Sequence, residues 1–228
     1  MGGGVNNLAT RAADKPGFVP RSVNGRPVKS IKQVYHKRRA EWQRQLGHPG
    51  MTTQMERLTT QRRRQIDHSL HTASQRIIDL LVAEGIGALV IGKHPFCPFW
   101  KQEANPGKRN NQTFVSIPHA RFTDMLTYRA ELVGIQVTVT EETYTSNSSF
   151  LDGDSLPVYD TSRQEVTIFS GRRWKRGLYQ AASGRRLNAD INGVYNSLRK
   201  ALPDAFGKGK AGAAVHPVRL PVRPKRAA

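Results

Sequence analysis

The chain has 228 residues, enough for one large domain or two small ones and enough to bury a hydrophobic core. Its 36 lysines and arginines exceed its 17 aspartates and glutamates, which gives a formal net charge of +19. Such an excess repels itself unless a polyanion neutralises it, so nucleic acid is the first partner to consider. No apolar run is long enough to span a bilayer and no secretion signal is apparent, so we expect no membrane partner. The single cysteine excludes a disulfide framework and fits a reducing cytoplasm.

Short strands and two long helices are predicted for the first third of the chain. Proline and glycine punctuate residues 1–29, which indicates extended pieces around turns. Residues 30–46 have helical periodicity. We expect an apolar face of Ile31, Val34, Tyr35, Trp42 and Leu46, with Lys32, Lys37, Arg38, Arg39 and Arg44 on the other faces. A second helix is predicted over residues 54–84, with a core stripe of Met55, Leu58, Ile66, Leu70, Ala73, Ile77, Leu80 and Leu81.

Strands and helices alternate in the rest of the chain. A buried-type strand is predicted over residues 86–91, and a second strand, rich in β-branched residues, over 135–140. Between them lies a helix over 118–134 with Phe122, Met125, Leu126 and Leu132 facing inward. A polar insertion (144–167), a hairpin (166–180) and a helix beginning near Asp190 follow. The basic tail from 207 to 228 is predicted to be disordered. This alternation is typical of an α/β protein.

Several polar side chains could carry chemistry, and each also has an ordinary structural explanation. Asp190 could be a metal ligand or simply an acid that stabilises a helix N-terminus. Glu141 and Glu142 end a strand, where a carboxylate can face solvent without consequence. Lys37, Arg38 and Arg39, like Lys108 and Arg109 in the loop at 107–112, could contact phosphates or only be solvated. His94 and Cys97 do not form a zinc site, because no second pair of ligands has suitable spacing.

Several blocks, in order, resemble one known family. The segments "GVNNLAT", "NGRPVKSI", "GKRNNQTFVSIPHARFTDMLTYRAELVGIQV", "EETYTS" and "NADINGVYNSLRKALPDAF" are similar to the TnpB (OrfB) proteins of insertion sequences. That family is related to the type V CRISPR effectors, which are RNA-guided DNA nucleases. The resemblance implies an RNase H-like (RuvC-type) α/β fold over residues 1–206, with a mixed sheet flanked by helices.

The resemblance also implies a site for Mg²⁺. The family uses three acids, and Asp190 stands at the position of the third, where a carboxylate would help to hold two ions beside a phosphodiester. Gly2 takes the place of the first acid and Gly92 the place of the second. Some members supply a carboxylate from the end of the neighbouring strand instead. Glu142 is our candidate for that role and for a metal ligand, with Glu141 in reserve.

Other features of the family have no counterpart in this chain. Its zinc-ribbon cysteines would fall near Ser149 and Asp152, so we expect no zinc, and residues 144–180 form a cysteine-free insertion in its place. The resemblance implies that most of the first strand and an N-terminal domain are missing, that a separate chain could supply that half, and that this chain does not cut DNA by itself. The expected partners are DNA and guide RNA in a prokaryotic cytoplasm, near the nucleoid.

Three functions remain open on the sequence. The first is a transposase-family protein of an insertion sequence, a DNA endonuclease by descent, linked to transposition and recombination. The second is a nuclease-dead regulator that binds nucleic acid, which Gly2 and Gly92 favour. The third is a non-functional gene fragment, which the missing first strand favours.

Overall fold

The computed structural model describes residues 1–2, 7–15, 17–93, 118–157, 167–206 and 215–221. Its helices are α1 (Arg26–Leu46), α2 (Thr53–Ala83), α3 (His119–Leu132) and α4 (Ala189–Ala201). Its strands are β1 (Asn7–Arg11), β2 (Arg21–Asn24), β3 (Ala88–Lys93), β4 (Gln136–Glu141), β5 (Arg172–Lys175), β6 (Leu178–Gln180), β7 (Arg186–Asn188) and β8 (Val218–Leu220). The predicted mixed α/β class is confirmed. Over the described residues, no helix has the length and apolar character needed to cross a bilayer.

The strands form three small sheets. β1 pairs antiparallel with β2, and β2 pairs in parallel with β8. β3 and β4 are parallel neighbours, as we predicted for the strands that end near Ile91 and Thr140. β5, β6 and β7 form an antiparallel sheet that contains the predicted hairpin. β8 lies in the tail that we predicted to be disordered; at residues 218–220 that prediction is wrong, because β2 offers a free edge for pairing.

Met1 and Gly2 join the first two sheets through their backbone. Gly2 exchanges two hydrogen bonds with Thr10 of β1, of 3.0 and 2.8 Å. On the other side, Gly92 N donates to Met1 O at 2.9 Å, and the Met1 amino group donates to Val90 O at 2.6 Å. These two residues therefore lie between β1 and β3 and satisfy backbone groups that would otherwise be left unpaired.

The main core lies between these sheets and helices α1, α2 and α3. Most of the predicted stripe of α2 is buried, from Met55 and Leu58 through Leu70 to Leu81. The prediction of burial is wrong for two residues: Val34 of α1 is 48% exposed and Leu132 of α3 is 78% exposed. Lys32, predicted to face solvent, is buried instead.

Helix α4 holds the insertion through two buried asparagines. Asn192 Oδ1 accepts a hydrogen bond from Phe150 N at 3.0 Å, and its Nδ2 donates to Ser148 O at 2.8 Å. Asn196 Nδ2 donates to Thr145 O and Ser148 O. Because these side chains pair with loop backbone, the loop at 145–150 is fixed against the helix.

A second set of hydrogen bonds converges on two aspartates of the insertion. Asp152 Oδ2 accepts from the hydroxyls of Ser149 and Ser170 and from Ala182 N, the last at 2.8 Å. Asp154 accepts from Ser149 N at 2.8 Å and from Ser170. We call Ser149, Asp152, Asp154 and Ser170 the Ser–Asp network. Its hydrogen bonds hold residues 149–154 against residues 170 and 182.

The Ser–Asp network predicts a dependence of stability on pH. Burial alone would raise the pKa of Asp152, but hydrogen bonds from Ser149, Ala182, Ser170 and Ser183 outweigh it and lower the pKa below 3.8. A depressed pKa in the folded state stabilises the fold above the unfolded value and loses that contribution as the pH falls through the folded value. Asp152→Asn should therefore make urea unfolding less dependent on pH between 5 and 3.

The exposed Asp204→Asn is the matched control, because Asp204 has no role in the Ser–Asp network. The effect at Asp152 should be modest, since this side chain is also solvent-exposed. Equal pH profiles for Asp152→Asn and the parent protein would contradict the proposed contribution of the network.

Candidate catalytic edge and nucleic-acid surface

The carboxyl ends of β3 and β4 lie side by side. Gly92 of β3 is in register with Thr140 of β4, and Lys93 with Glu141. Glu142 follows directly after β4. The carboxyl ends of parallel strands are the usual place for a site in an α/β sheet. We call Gly2, Gly92, Glu142 and Asp190 the catalytic edge, after the role that the family resemblance implies for these positions.

Glu142 fills the space that side chains at Gly92 and Gly2 would need. A Cβ built on Gly92 would overlap Oε1, Cδ and Cγ of Glu142. A Cβ on Gly2 would lie 3.0 Å from Glu142 Oε1. The carboxylate from the end of β4 thus lies against both Gly2 and Gly92, which the resemblance places at the positions of the first and second acids. Burial raises the pKa of Glu142, and the nearby amino group of Met1 opposes that rise.

Glu141 points to a different partner. Lys200, near the C-terminal end of α4, forms an ion pair of 3.0 Å with Glu141 Oε2 and also donates to Thr143 O at 3.5 Å. A carboxylate that is neutralised by a lysine is a poorer cation ligand than one without that partner. The geometry therefore distinguishes the two glutamates, which their sequence positions alone could not.

Asp190 lies in the first turn of α4. Asn188 caps this helix, because its Oδ1 accepts from Asp190 N at 2.9 Å and Ile191 N at 3.2 Å. The Asp190 carboxylate is then free of the capping role and accepts a hydrogen bond from Asn7 Nδ2 at 2.6 Å. Asn188 rather than Asp190 is the helix cap, and the place of Asp190 in the first turn still fits the ordinary explanation of an acid that stabilises a helix N-terminus through its dipole.

Asp190 lies next to β1, and Glu142 lies next to Gly2, whose backbone pairs with β1. Asp190 is bonded to Asn7 of β1, and one turn further along α4 the Val194 Cγ2 lies 3.3 Å from a Cβ built on Gly2. Gly2 in turn lies against Glu142. Among the described residues, no group of three or more His, Cys, Asp or Glu side chains is arranged to hold a metal ion. The catalytic edge thus offers two carboxylates.

The predicted basic surface on α1 is present in part. Lys37, Arg38 and Arg39 are exposed on α1, and Arg39 Nη1 donates to the hydroxyl of Tyr35 at 3.4 Å. Lys108 and Arg109 lie outside the described residues, as do His94 and Cys97.

A second basic surface, which we did not predict from the sequence, lies on the β5–β6–β7 sheet. All four side chains of β5 are exposed, including Trp174. The Arg186 guanidinium lies 3.5 Å from the centre of the Trp174 ring, and Lys175 Nζ lies 4.9 Å from it. A shallow groove lined by Arg26, Lys29, Ser30, Gln33 and Arg176 connects this hairpin with α1. The run "GRRWKRG", with an aromatic among basic residues, was the available signal.

Two family models match the chain in order. Residues 3–95 match the OrfB family of insertion sequences, described as a probable transposase. Residues 119–197 match the TNB domain of Cas12f1-like proteins. The chain is a TnpB-type relative of the type V CRISPR effectors. Gly92 lies within the first match, and Glu142 and Asp190 lie within the second.

A solved structure has the same fold as this TnpB-type protein. It is a chain of the cryo-EM structure of a Cas12f1–sgRNA–target DNA complex, 14% identical, with a TM-score of 0.61 over 88% of the present chain. The TnpB-type chain spans about half, 49%, of the length of that protein. No curated protein sequence matches the present chain significantly.

The packing of Glu142 against Gly92 predicts a reversal in the effect of one substitution. Gly92→Ala should destabilise the TnpB-type chain by about 1–3 kcal/mol, because the new methyl group displaces the Glu142 carboxylate. In a Glu142→Ala background the same change should be neutral or stabilising, since the space is empty and alanine restricts the unfolded chain. Urea unfolding of the four proteins gives the coupling energy.

Gly87→Ala, on the loop before β3, is the control, because a Cβ there meets no atom within 4 Å. Additive effects of Gly92→Ala and Glu142→Ala would show that the Glu142 carboxylate does not occupy this space.

Proposed function

We propose that the chain is the nuclease part of a transposon protein that binds DNA and a guide RNA, with a catalytic site descended from a DNA endonuclease. The observation that carries the proposal is the position of Glu142: its carboxylate lies in the space left by Gly2 and Gly92, at the edge where Asp190 also lies. A carboxylate placed there by chance would have no reason to match two vacated acid positions at once.

The strand order supports an RNase H-like fold. Across the layer the order is β2, β1, Met1–Gly2, β3 and β4. Pairing is antiparallel on one side of Met1–Gly2, while β3 and β4 on the other side are parallel. Helix α4 packs against β1, β3 and β4 and brings Asp190 to the layer. A central strand with this surrounding order is the arrangement that the family resemblance implies.

Two carboxylates are the proposed donors for one Mg²⁺ ion. Asp190 and Glu142 would hold it, and water would complete an octahedral shell, because Mg²⁺ keeps most of its waters when few carboxylates are offered. The ion would supply Lewis-acid stabilisation of a phosphodiester oxygen. Gly2 and Gly92 offer no ligand, so the described residues do not provide a two-metal centre. We therefore propose weak binding of a single ion and negligible cleavage by this chain alone.

The basic surfaces support nucleic-acid binding. Lys37, Arg38 and Arg39 present positive charge to solvent from one helix, and the hairpin around Trp174 presents more from β5. Phosphate contacts of this kind give affinity without sequence specificity. Specificity for a target would then come from the guide RNA.

The metal proposal predicts how single substitutions change the affinity for a divalent cation. Calorimetry measures this affinity with Mn²⁺, which replaces Mg²⁺. Asp190→Asn and Glu142→Gln should each abolish the weak binding, because each removes one of two ligands. Glu141→Gln, the matched control on the adjacent residue, should leave binding unchanged. Loss of binding in Glu141→Gln but not in Glu142→Gln would show that the wrong glutamate was chosen.

The nucleic-acid proposal predicts a change in salt dependence. Replacing Lys37, Arg38 and Arg39 together by glutamine should flatten the log–log plot of duplex affinity against salt by roughly 0.9 for each phosphate contact that is lost. Fluorescence anisotropy with a labelled duplex of arbitrary sequence measures the slope. Lys15→Gln, which removes a charge from a lysine bonded to Glu84 O, is the control. An unchanged slope in the triple variant would mean that this face is only solvated.

A further inference from the structure

Lys32 is a buried lysine on α1. Its side chain is 4% exposed, and its Nζ has no hydrogen-bond partner among the described residues. Burial, with the neighbouring charge of Arg62, lowers the pKa of Lys32 to about 8. Lysine is almost never buried unless it is paired. A lysine in this position therefore has a donor without an acceptor from the described part of the chain.

Arg62, on the facing helix α2, also has a buried N–H donor without an acceptor among the described residues. Its guanidinium carbon lies 4.2 Å from the centre of the Tyr35 ring, so the ring supports the face of the guanidinium. Its Nε is buried and has no hydrogen-bond partner among the described residues. Tyr35 is itself held in place by Thr59, whose hydroxyl lies 3.2 Å from that of Tyr35. Two cationic groups from two helices thus approach one another with unused N–H groups.

The surroundings of this pair are positive. Burial lowers the pKa of His36, and the charges of Arg62, Lys32 and Arg39 lower it further. His36 and Arg39 lie one and two turns after Lys32 on α1 and are exposed, so the cluster reaches solvent along this face. Within the described ranges, no carboxylate forms an ion pair with Lys32 or Arg62.

Such a cluster costs stability unless an anion completes it. Desolvated charges of like sign repel each other, and a buried donor without an acceptor loses its hydration without compensation. A methionine at position 32 would fill similar space with none of these costs. The retained charge, with its partner on α2, is an arrangement that suits an anion entering from outside the chain.

We propose that Lys32 and Arg62 form a binding site for a phosphate group, which a nucleic-acid backbone supplies when it lies along α1 and α2. Arginine contributes a planar pair of donors and lysine a point charge, a combination that matches a phosphate oxyanion. A rotamer change turns the Lys32 amine toward the mouth of the cluster as the phosphate enters. This proposal rests on the proposed nucleic-acid function, and it names a specific anchor distinct from the exposed charges at 37–39.

Two measurements on Lys32→Met test the site. The thermal midpoint of the free protein should rise, because the buried charge is removed, whereas duplex affinity should fall by about tenfold or more, as expected for a lost charge-assisted hydrogen bond. Lys37→Met, at an exposed lysine on the same helix, is the control for the thermal midpoint only and should leave that midpoint unchanged. Arg62→Met should likewise weaken duplex binding. A lysine with only a structural role would lower the midpoint when replaced and leave affinity alone.

Inorganic phosphate separates the site from the wider function. Phosphate should raise the thermal midpoint of the parent and of Lys37→Met but not of Lys32→Met. If phosphate gives this pattern and no duplex binds, the site stands as one for free phosphate and the nucleic-acid function fails. If the duplex binds the parent and Lys32→Met equally and phosphate shifts neither midpoint, the proposed site is wrong while the wider function survives.

Discussion

The backbone pairing of Met1 and Gly2 is the constraint on which the rest of the catalytic edge depends. These residues bond to Thr10 on one side and to Val90 and Gly92 on the other, so they hold β1 and β3 at the spacing of adjacent strands. Helix α4 can then pack across the joined strands, which brings Asp190 to Asn7. This pairing therefore fixes the position of Asp190, which contacts β1, relative to Glu142, which lies beside β3.

The position of Glu142 underlies the proposed rearrangement of the acidic site. Adjacent parallel strands are about 4.8 Å apart, so a side chain at the end of β4 can reach the space above the end of β3. That reach requires glycine at position 92, because any side chain there would overlap the Glu142 carboxylate. In the proposed site, loss of one acid and recruitment of another would therefore be linked by steric exclusion between position 92 and Glu142.

The sequence predicted the element order well because that order depends on local periodicity. The stripe on α2 and the β-branched runs of β3 and β4 were sufficient to place these elements. Burial of individual residues was harder to predict: Val34 and Leu132 were assigned to the core because periodicity identifies an apolar side of a helix but not which neighbour covers it. The choice of Glu142 came from the family resemblance. The features that separate it from Glu141, namely the Lys200 ion pair and the contact with Gly92, require tertiary structure.

Glu142 and Asp190 are proposed to be joint ligands of one cation, and crystals of the protein soaked in manganese test this claim most directly. An anomalous difference map should show a single peak between the two carboxylates, at about 2.0–2.2 Å from an oxygen of each, in keeping with the coordination distances of small divalent cations. A peak held by Asp152 and Asp154, or by Glu141, with none at the catalytic edge would contradict the claim.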